Sequence, residues 1–99
     1  MTIEIKRSAQ NTIIALGGRL DTTTAPALDK MIREDLGDDT YLVLDVKGLE
    51  YLSSAGLRVL LYAHKKLQKT GSMKIIHVRE AVMEVLEMTG FADILVIEA

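Results

Sequence analysis

Apolar positions recur along this chain in two periods, and the switches between them lay out the elements. Residues 2–6, Thr-Ile-Glu-Ile-Lys, alternate polar and apolar, which predicts a half-buried strand. Turn residues follow over 8–11, and Thr12-Ile13-Ile14-Ala15-Leu16 predicts an antiparallel partner. Gly17-Gly18 then breaks the pattern. A helix is expected over residues 24–36, with Leu28, Met31, Ile32 and Leu36 on one face and Lys30, Arg33 and Glu34 turned away. Pro26 falls in its first turn, where the missing N–H costs nothing. One of Asp21 to Thr24 caps it, and Gly37-Asp38-Asp39 stops it.

Residues 41–46 are apolar and rich in β-branching with little alternation, so they predict a central strand covered on both faces or nearly so. A short connection is expected over residues 47–52. Past Ser53-Ser54 a helix should bury Leu57, Leu60, Leu61, His64 and Leu67, leave Arg58, Tyr62, Lys65 and Lys66 on the flanks, and end at Gly71. Residues 73–78 predict a strand and residues 80–88 a helix burying Val82, Val85 and Leu86. Residues 94–97 close the chain as a last short strand. The order is β-β-α-β-α-β-α-β. Crossovers through helices imply parallel neighbours, so the fold class is α/β, with helices packed on one mixed sheet.

Composition narrows the chemistry. Ninety-nine residues suit a single domain, 1–99. There is no cysteine, which excludes disulfides and thiolate metal sites, and two histidines on different elements make a poor zinc site. A net charge of −2 with scattered positive residues gives no nucleic-acid footprint. The chain begins Met-Thr-Ile-Glu, without a basic n-region or long apolar segment, so a cytosolic protein without membrane insertion is expected.

Ser53-Ser54-Ala55-Gly56 places hydroxyls at a strand-to-helix junction, where backbone N–H groups lack partners and the helix dipole is positive. An ordinary N-cap accounts for one serine there; a phosphate would also be received. No G-x-S-x-G elbow or phosphate-binding glycine loop is present. Asp21, with Asp45 as its only strand-end companion, reads as a cap rather than a metal ligand. His64 reads as a partly buried core histidine, and Met31, Met73, Met83 and Met88 as core or core-edge filler. The residues alone describe a binding module with no catalytic residues, metal or cofactor.

Three segments are more specific. Gly18-Arg19-Leu20-Asp21, then Leu42-Val43-Leu44-Asp45-Val46, then residues 49–61 with Ser53-Ser54-Ala55-Gly56-Leu57-Arg58 together resemble the STAS family, nearest to its bacterial anti-sigma factor antagonists. The resemblance spans essentially the whole chain. It implies partner switching: the unphosphorylated protein binds a serine kinase that doubles as an anti-sigma factor, which frees the sigma factor. Phosphorylation of one serine releases the complex, and a PP2C-type phosphatase resets it. The family's acceptor lies two residues before the motif glycine, which is Ser54 here. Many members carry aspartate before it, where this chain has Ser53, so Ser53 stands as an alternative acceptor. By the same resemblance Asp21, Thr22, Ser53, Ser54, Ala55, Gly56 and Arg58 form the partner-binding face, and a monomer is expected. The family also includes STAS subunits that dock constitutively on an ATPase of a membrane lipid transporter, and partner-switch modules with a non-sigma target. A weak nucleotide-binding or hydrolysing domain is the enzyme-class rival.

Overall fold

The alternating N-terminal segments form a hairpin in a computed structural model that describes residues 1–98. Strand β1 (Thr2–Ser8) pairs antiparallel with β2 (Asn11–Leu20). Helix α1 (Ala25–Asp35), strand β3 (Tyr41–Leu52), helix α2 (Ser54–Leu67) and strand β4 (Ser72–Ile76) follow. Helix α3 (Glu80–Met88), a single 3-10 turn at Phe91–Asp93 and the two-residue strand β5 (Ile97–Glu98) complete the order. The element sequence is the one the periodicity predicts.

The sheet order is β1-β2-β3-β4-β5, with every pair after the first parallel. Strands are thus added in one direction, and right-handed crossovers then return every helix over the same face. Burial agrees. Leu42, Leu44 and Val46 of β3 join Leu28 and Ile32 of α1, Leu60 and Leu67 of α2, and Leu86 of α3 in one core cluster. On the opposite parity of β3, Tyr41 is exposed and Val43 and Asp45 are half-buried. The expectation that β3 is covered on both faces is therefore wrong. A run of apolar residues meant one crowded face and one open face.

Two other boundaries are corrected. Gly17-Gly18 does not end β2, and residues 47–52 are not a connection. Both strands continue, pairing Gly17 with Gly48, Gly18 with Leu49, Arg19 with Tyr51 and Leu20 with Leu52. The register shifts between Ala15 and Gly17 and again between Gly18 and Arg19. Gly18 takes φ +87°, which a side chain resists. The glycines thus bend a continuous ladder rather than break it.

Smaller differences follow from packing. The apolar stripe of α2 is Gly56, Leu57, Val59, Leu60, Ala63 and Leu67, with Leu61 and His64 only half-buried on its flank. The stripe turns this way because α2 packs against α1 as well as the sheet. His64 is partly buried, as expected, but on the flank of the stripe rather than within it. Met73 is buried, but Met88 at the end of α3 is 87% exposed and fills nothing.

Candidate functional site

The extended β2–β3 ladder decides where the motif residues meet. Leu20 and Leu52 pair at the C-terminal ends of neighbouring parallel strands, and the Ser53 N–H donates to Leu20 O at 2.9 Å. Asp21 and Ser53, far apart in sequence, therefore leave the sheet side by side. Loops beyond the carboxyl ends of parallel strands are where such sheets commonly bind ligands.

The two serines have different jobs. Ser53 is the N-cap of α2: its Oγ accepts the Gly56 N–H at 3.3 Å, and its carbonyl accepts the Leu57 N–H at 2.9 Å. Ser54 is the first helical residue and is exposed. Among the described residues, the Ser54 and Ala55 amides are the first-turn donors of α2 without a partner. Ser53→Ala is expected to cost about 0.5–1 kcal/mol, the lower part of the N-cap range because the contact is long. A lower urea midpoint at unchanged slope would report it.

Gly56 lies beneath this turn and is buried. A Cβ built on it would stand 2.7 Å from Leu20 Cγ and 2.8 Å from Leu52 Cδ1. Both leucines are fully in the core, so neither has room to withdraw. The glycine lets the first turn of α2 settle directly onto the end of the β2–β3 ladder. It supports the face rather than forming part of it.

Next to the Leu20–Ser53 bond, Asp21 builds the turn that leads into α1. Its Oδ1 accepts the Thr23 N–H at 3.0 Å, the Thr23 hydroxyl at 2.8 Å and the Thr24 N–H at 3.2 Å. Thr24 is the positional N-cap of α1; its Oγ1 accepts the Asp21 N–H and donates to Arg19 O, both at 2.8 Å. The cap expected within residues 21–24 is Thr24 by position, no side chain bonds the first helical amides, and Asp21 instead orders the turn ahead of the helix. The Thr23 hydroxyl, opposed by partial burial and reinforced by the Thr23 and Thr24 amides, holds its carboxyl below the ordinary 3.8. A depressed carboxylate contributes stability that is fully present above the ordinary value and is lost as pH falls through the folded one. Asp21→Asn, which keeps the acceptor and removes the titration, is expected to flatten the loss of stability as pH falls below the ordinary carboxylate value. Urea midpoints at a series of acid pH values measure it. Asp45 loses stability in the same direction and remains as background in the variant.

A shallow cleft separates the two N-terminal turns. Thr22, Ala25, Pro26 and Asp29 line one wall, and Ala55, Arg58 and Val59 the other. Thr22 and Arg58 are exposed and Ala55 half-buried, so of the predicted face residues the cleft brings together Thr22, Ala55 and Arg58, while Asp21, Ser53 and Ser54 do not line it. Tyr62, expected on a flank of α2, lies under Arg33 at 3.9 Å and is half-buried. The sequence missed a rim: Arg19 stacks over Tyr51 at 4.1 Å and reaches Asp21 Oδ2 at 3.7 Å. That rim exists because Arg19 and Tyr51 are paired in register, which shows only once the strands run past their glycines.

Asp45 is not at a strand end and not near Asp21. It sits at mid-strand in β3, where Oδ1 accepts the Lys47 N–H at 3.0 Å and lies 3.0 Å from His77 Nδ1. Burial raises its carboxyl, but the Lys47 amide, His77 and the neighbouring positive charge together hold it below the ordinary range. No group of three or more metal-ligating side chains occurs among the described residues. No helix among them is long and apolar enough to cross a membrane.

The family model for the STAS domain matches residues 2–99. The anti-sigma-F factor antagonist RsfB of Mycobacterium tuberculosis is 32% identical over 65 residues, 65% of this chain and 53% of that protein, so the match spans about half its length. The anti-sigma F factor antagonist of Paenibacillus polymyxa is 30% identical over 96% of this chain and 84% of its own. Among solved structures, an anti-sigma factor antagonist from Mycobacterium paratuberculosis superposes with a TM-score of 0.86 at 26% identity, covering 97% of this chain and 83% of that one.

Proposed function

This chain belongs to the STAS domain family, and we propose that it acts as an anti-sigma factor antagonist switched by phosphorylation of Ser54. In this reading residues 1–99 form one STAS domain, and the face around Asp21, Thr22, Ser54, Ala55 and Arg58 docks on a serine kinase that also serves as the anti-sigma factor. Docking releases the sigma factor. Phosphate on Ser54 ends docking, and a PP2C-type phosphatase restores it. The protein is the kinase's substrate and performs no catalysis itself.

The observation that carries this reading is the division of labour between the serines. Ser53 spends its hydroxyl on the Gly56 amide, whereas Ser54 is exposed as the first residue of α2. A kinase must reach the hydroxyl it modifies, which favours Ser54 over Ser53. The names of the relatives support the antagonist role.

The switch is then local electrostatics. A phosphoserine carries about −1.5 to −2 charge and three acceptor oxygens. In the free protein, the positive end of α2 and the unpartnered Ser54 and Ala55 amides offset that charge in water. Inside a complex the phosphate must shed water against a surface fitted to a small hydroxyl. A differential of a few kcal/mol, each ~1.4 being tenfold, breaks the complex without refolding either partner.

The test is mass spectrometry of the tryptic peptide 48–58 from the native host under changing growth conditions. Phosphate on Ser54 is the expected result. Phosphate on Ser53 corrects the acceptor, and its absence from both serines under every condition overturns the switch.

A further inference from the structure

Strand β1 closes one side of the sheet, and no strand among the described residues pairs with its outer edge. Hairpin geometry fixes which backbone groups that edge presents. Ser8 pairs with Asn11 across a two-residue turn, so these two exchange both of their hydrogen bonds. Alternation then turns the amides and carbonyls of Thr2, Glu4, Lys6 and Ser8 towards β2, and those of Ile3, Ile5 and Arg7 outwards. Natural edges are commonly blunted by brevity, proline or a bulge. β1 has seven residues, no proline and an unshifted register with β2. Its charged side chains deter a chance partner but not every partner.

The side chains of this edge are complementary to themselves. Ile3 and Ile5 pair with buried Leu16 and Ile14 and so lie on the helix side, where Ile5 stays 36% exposed at the rim of the core. Glu4 and Lys6 lie on the open side, both exposed, and neither has an ion-pair partner among the described residues. A second β1 laid antiparallel must set outward amides against outward carbonyls, which allows only registers centred on a residue. Centred on Glu4, Lys6 or Arg7, the register places that charge against itself. Centred on Ile3, it shortens the shared stretch of β1 to residues 2–4. Centred on Ile5, the whole strand pairs. Ile5 meets Ile5, Glu4 meets Lys6 twice, Thr2 meets Ser8 twice, and the Arg7 stem covers Ile3 twice. Ile5 with itself, and Ile3 with Arg7 in both directions, are the pairs that exchange two hydrogen bonds each. The charges further in on the open side are held within the chain, Asp45 by His77 and Arg79 by the Lys47 carbonyl.

We propose that β1 is the contact edge of a homodimer, two copies joining antiparallel about Ile5 into one continuous sheet. This replaces the monomer expected from sequence. The two-fold axis stands perpendicular to the sheet, so the helices of both copies cover the same side, and paired Ile5 side chains link the two cores. Main-chain hydrogen bonds give such strand addition its affinity, and the side-chain pairs give it its register. One strand per copy makes a small contact, so the dimer forms and dissociates with concentration. Strand β3, which leads into Ser54, lies two strands inboard of the edge, about 10 Å, so each copy keeps that hydroxyl exposed.

Sedimentation velocity and amide exchange on the full chain, from about 10 µM to about 1 mM, read the association and its place. The expected result is a weight-average mass that climbs from one chain towards two. Exchange slows with it at Ile3, Ile5 and Arg7 and stays unchanged at Glu4 and Lys6, whose amides already bond β2. Lys6→Glu sets glutamate over Glu4 of the second copy at both symmetric places and should weaken association at least tenfold. Glu4→Lys, with lysine over Lys6, should do the same. An equimolar mixture of the two variants should associate again, because each then meets the opposite sign. Circular dichroism checks that both variants keep the parent's fold; if either does not, the amide pattern of the parent decides. A parent that stays monomeric at the highest concentration, association without slowing at those amides, or folded variants whose mixture fails to associate overturns the proposal.

Discussion

Replacing Gly56 with valine is expected to destabilise this protein by about 3 kcal/mol, which for a domain of this size lowers Tm by roughly 15 °C. Glycine to alanine inside a helix ordinarily gains about 0.5–1 kcal/mol, since glycine holds more freedom when unfolded. Here the sign reverses even for alanine. The new Cβ would arrive 2.7 Å from Leu20 Cγ, inside any real carbon contact, and Leu20 is completely buried. Valine adds two methyl groups to the same collision. The first turn of α2 must then lift off the ladder, taking Ser53 from Leu20. Thermal melts of the alanine and valine variants test this in order: alanine below the parent, valine below alanine. An alanine variant more stable than the parent would sink the packing argument.

Phosphate on Ser54 is expected to weaken docking on the host's anti-sigma kinase about a hundredfold, which corresponds to about 2.8 kcal/mol, with Tm nearly unchanged. Ser54→Ala should dock as tightly as the parent and should not be released when ATP is supplied. Its stability should stay close to the parent, because the cap is Ser53 and not Ser54. Ser54→Asp should fall between the two, since a carboxylate supplies half the charge and a smaller volume. Titration calorimetry with the purified kinase separates these cases. Equal affinity for the hydroxyl and phosphoserine forms would remove the charge switch from the account.

The helices were legible because their apolar positions repeat at helical spacing and their ends carry recognisable stops. Glu80–Met88 is predicted to the residue, and Gly90 in the left-handed conformation ends its run. The stretches around Gly17-Gly18 and Lys47-Gly48 were not legible, because local propensity reads glycine as a break. What overrides it is pairing between two distant segments, each excusing the other's glycine at the Gly17–Gly48 step. The open face of β3 was hidden for a related reason: a run without alternation looks the same whether two helical layers or none lies above its second face. At the site, Asp21 and the serine pair were visible as residue types at suggestive places. Which serine caps and which faces solvent depends on one hydrogen bond to Gly56, and that has no sequence signature.

The bond from the Ser53 amide to Leu20 O is the last rung of the β2–β3 ladder, one step beyond the Leu20–Leu52 pair. Terminal rungs open far more often than central ones, at a fraction of the free energy of global unfolding. The contact face therefore has a lifetime of its own, shorter than that of the core it stands on. Deuterium should enter the Ser53 amide before it enters that of Leu44, and a partner bridging Asp21 and Ser54 should slow the first exchange while leaving the second alone. Part of the affinity for any such partner is then spent on keeping the end of the sheet closed.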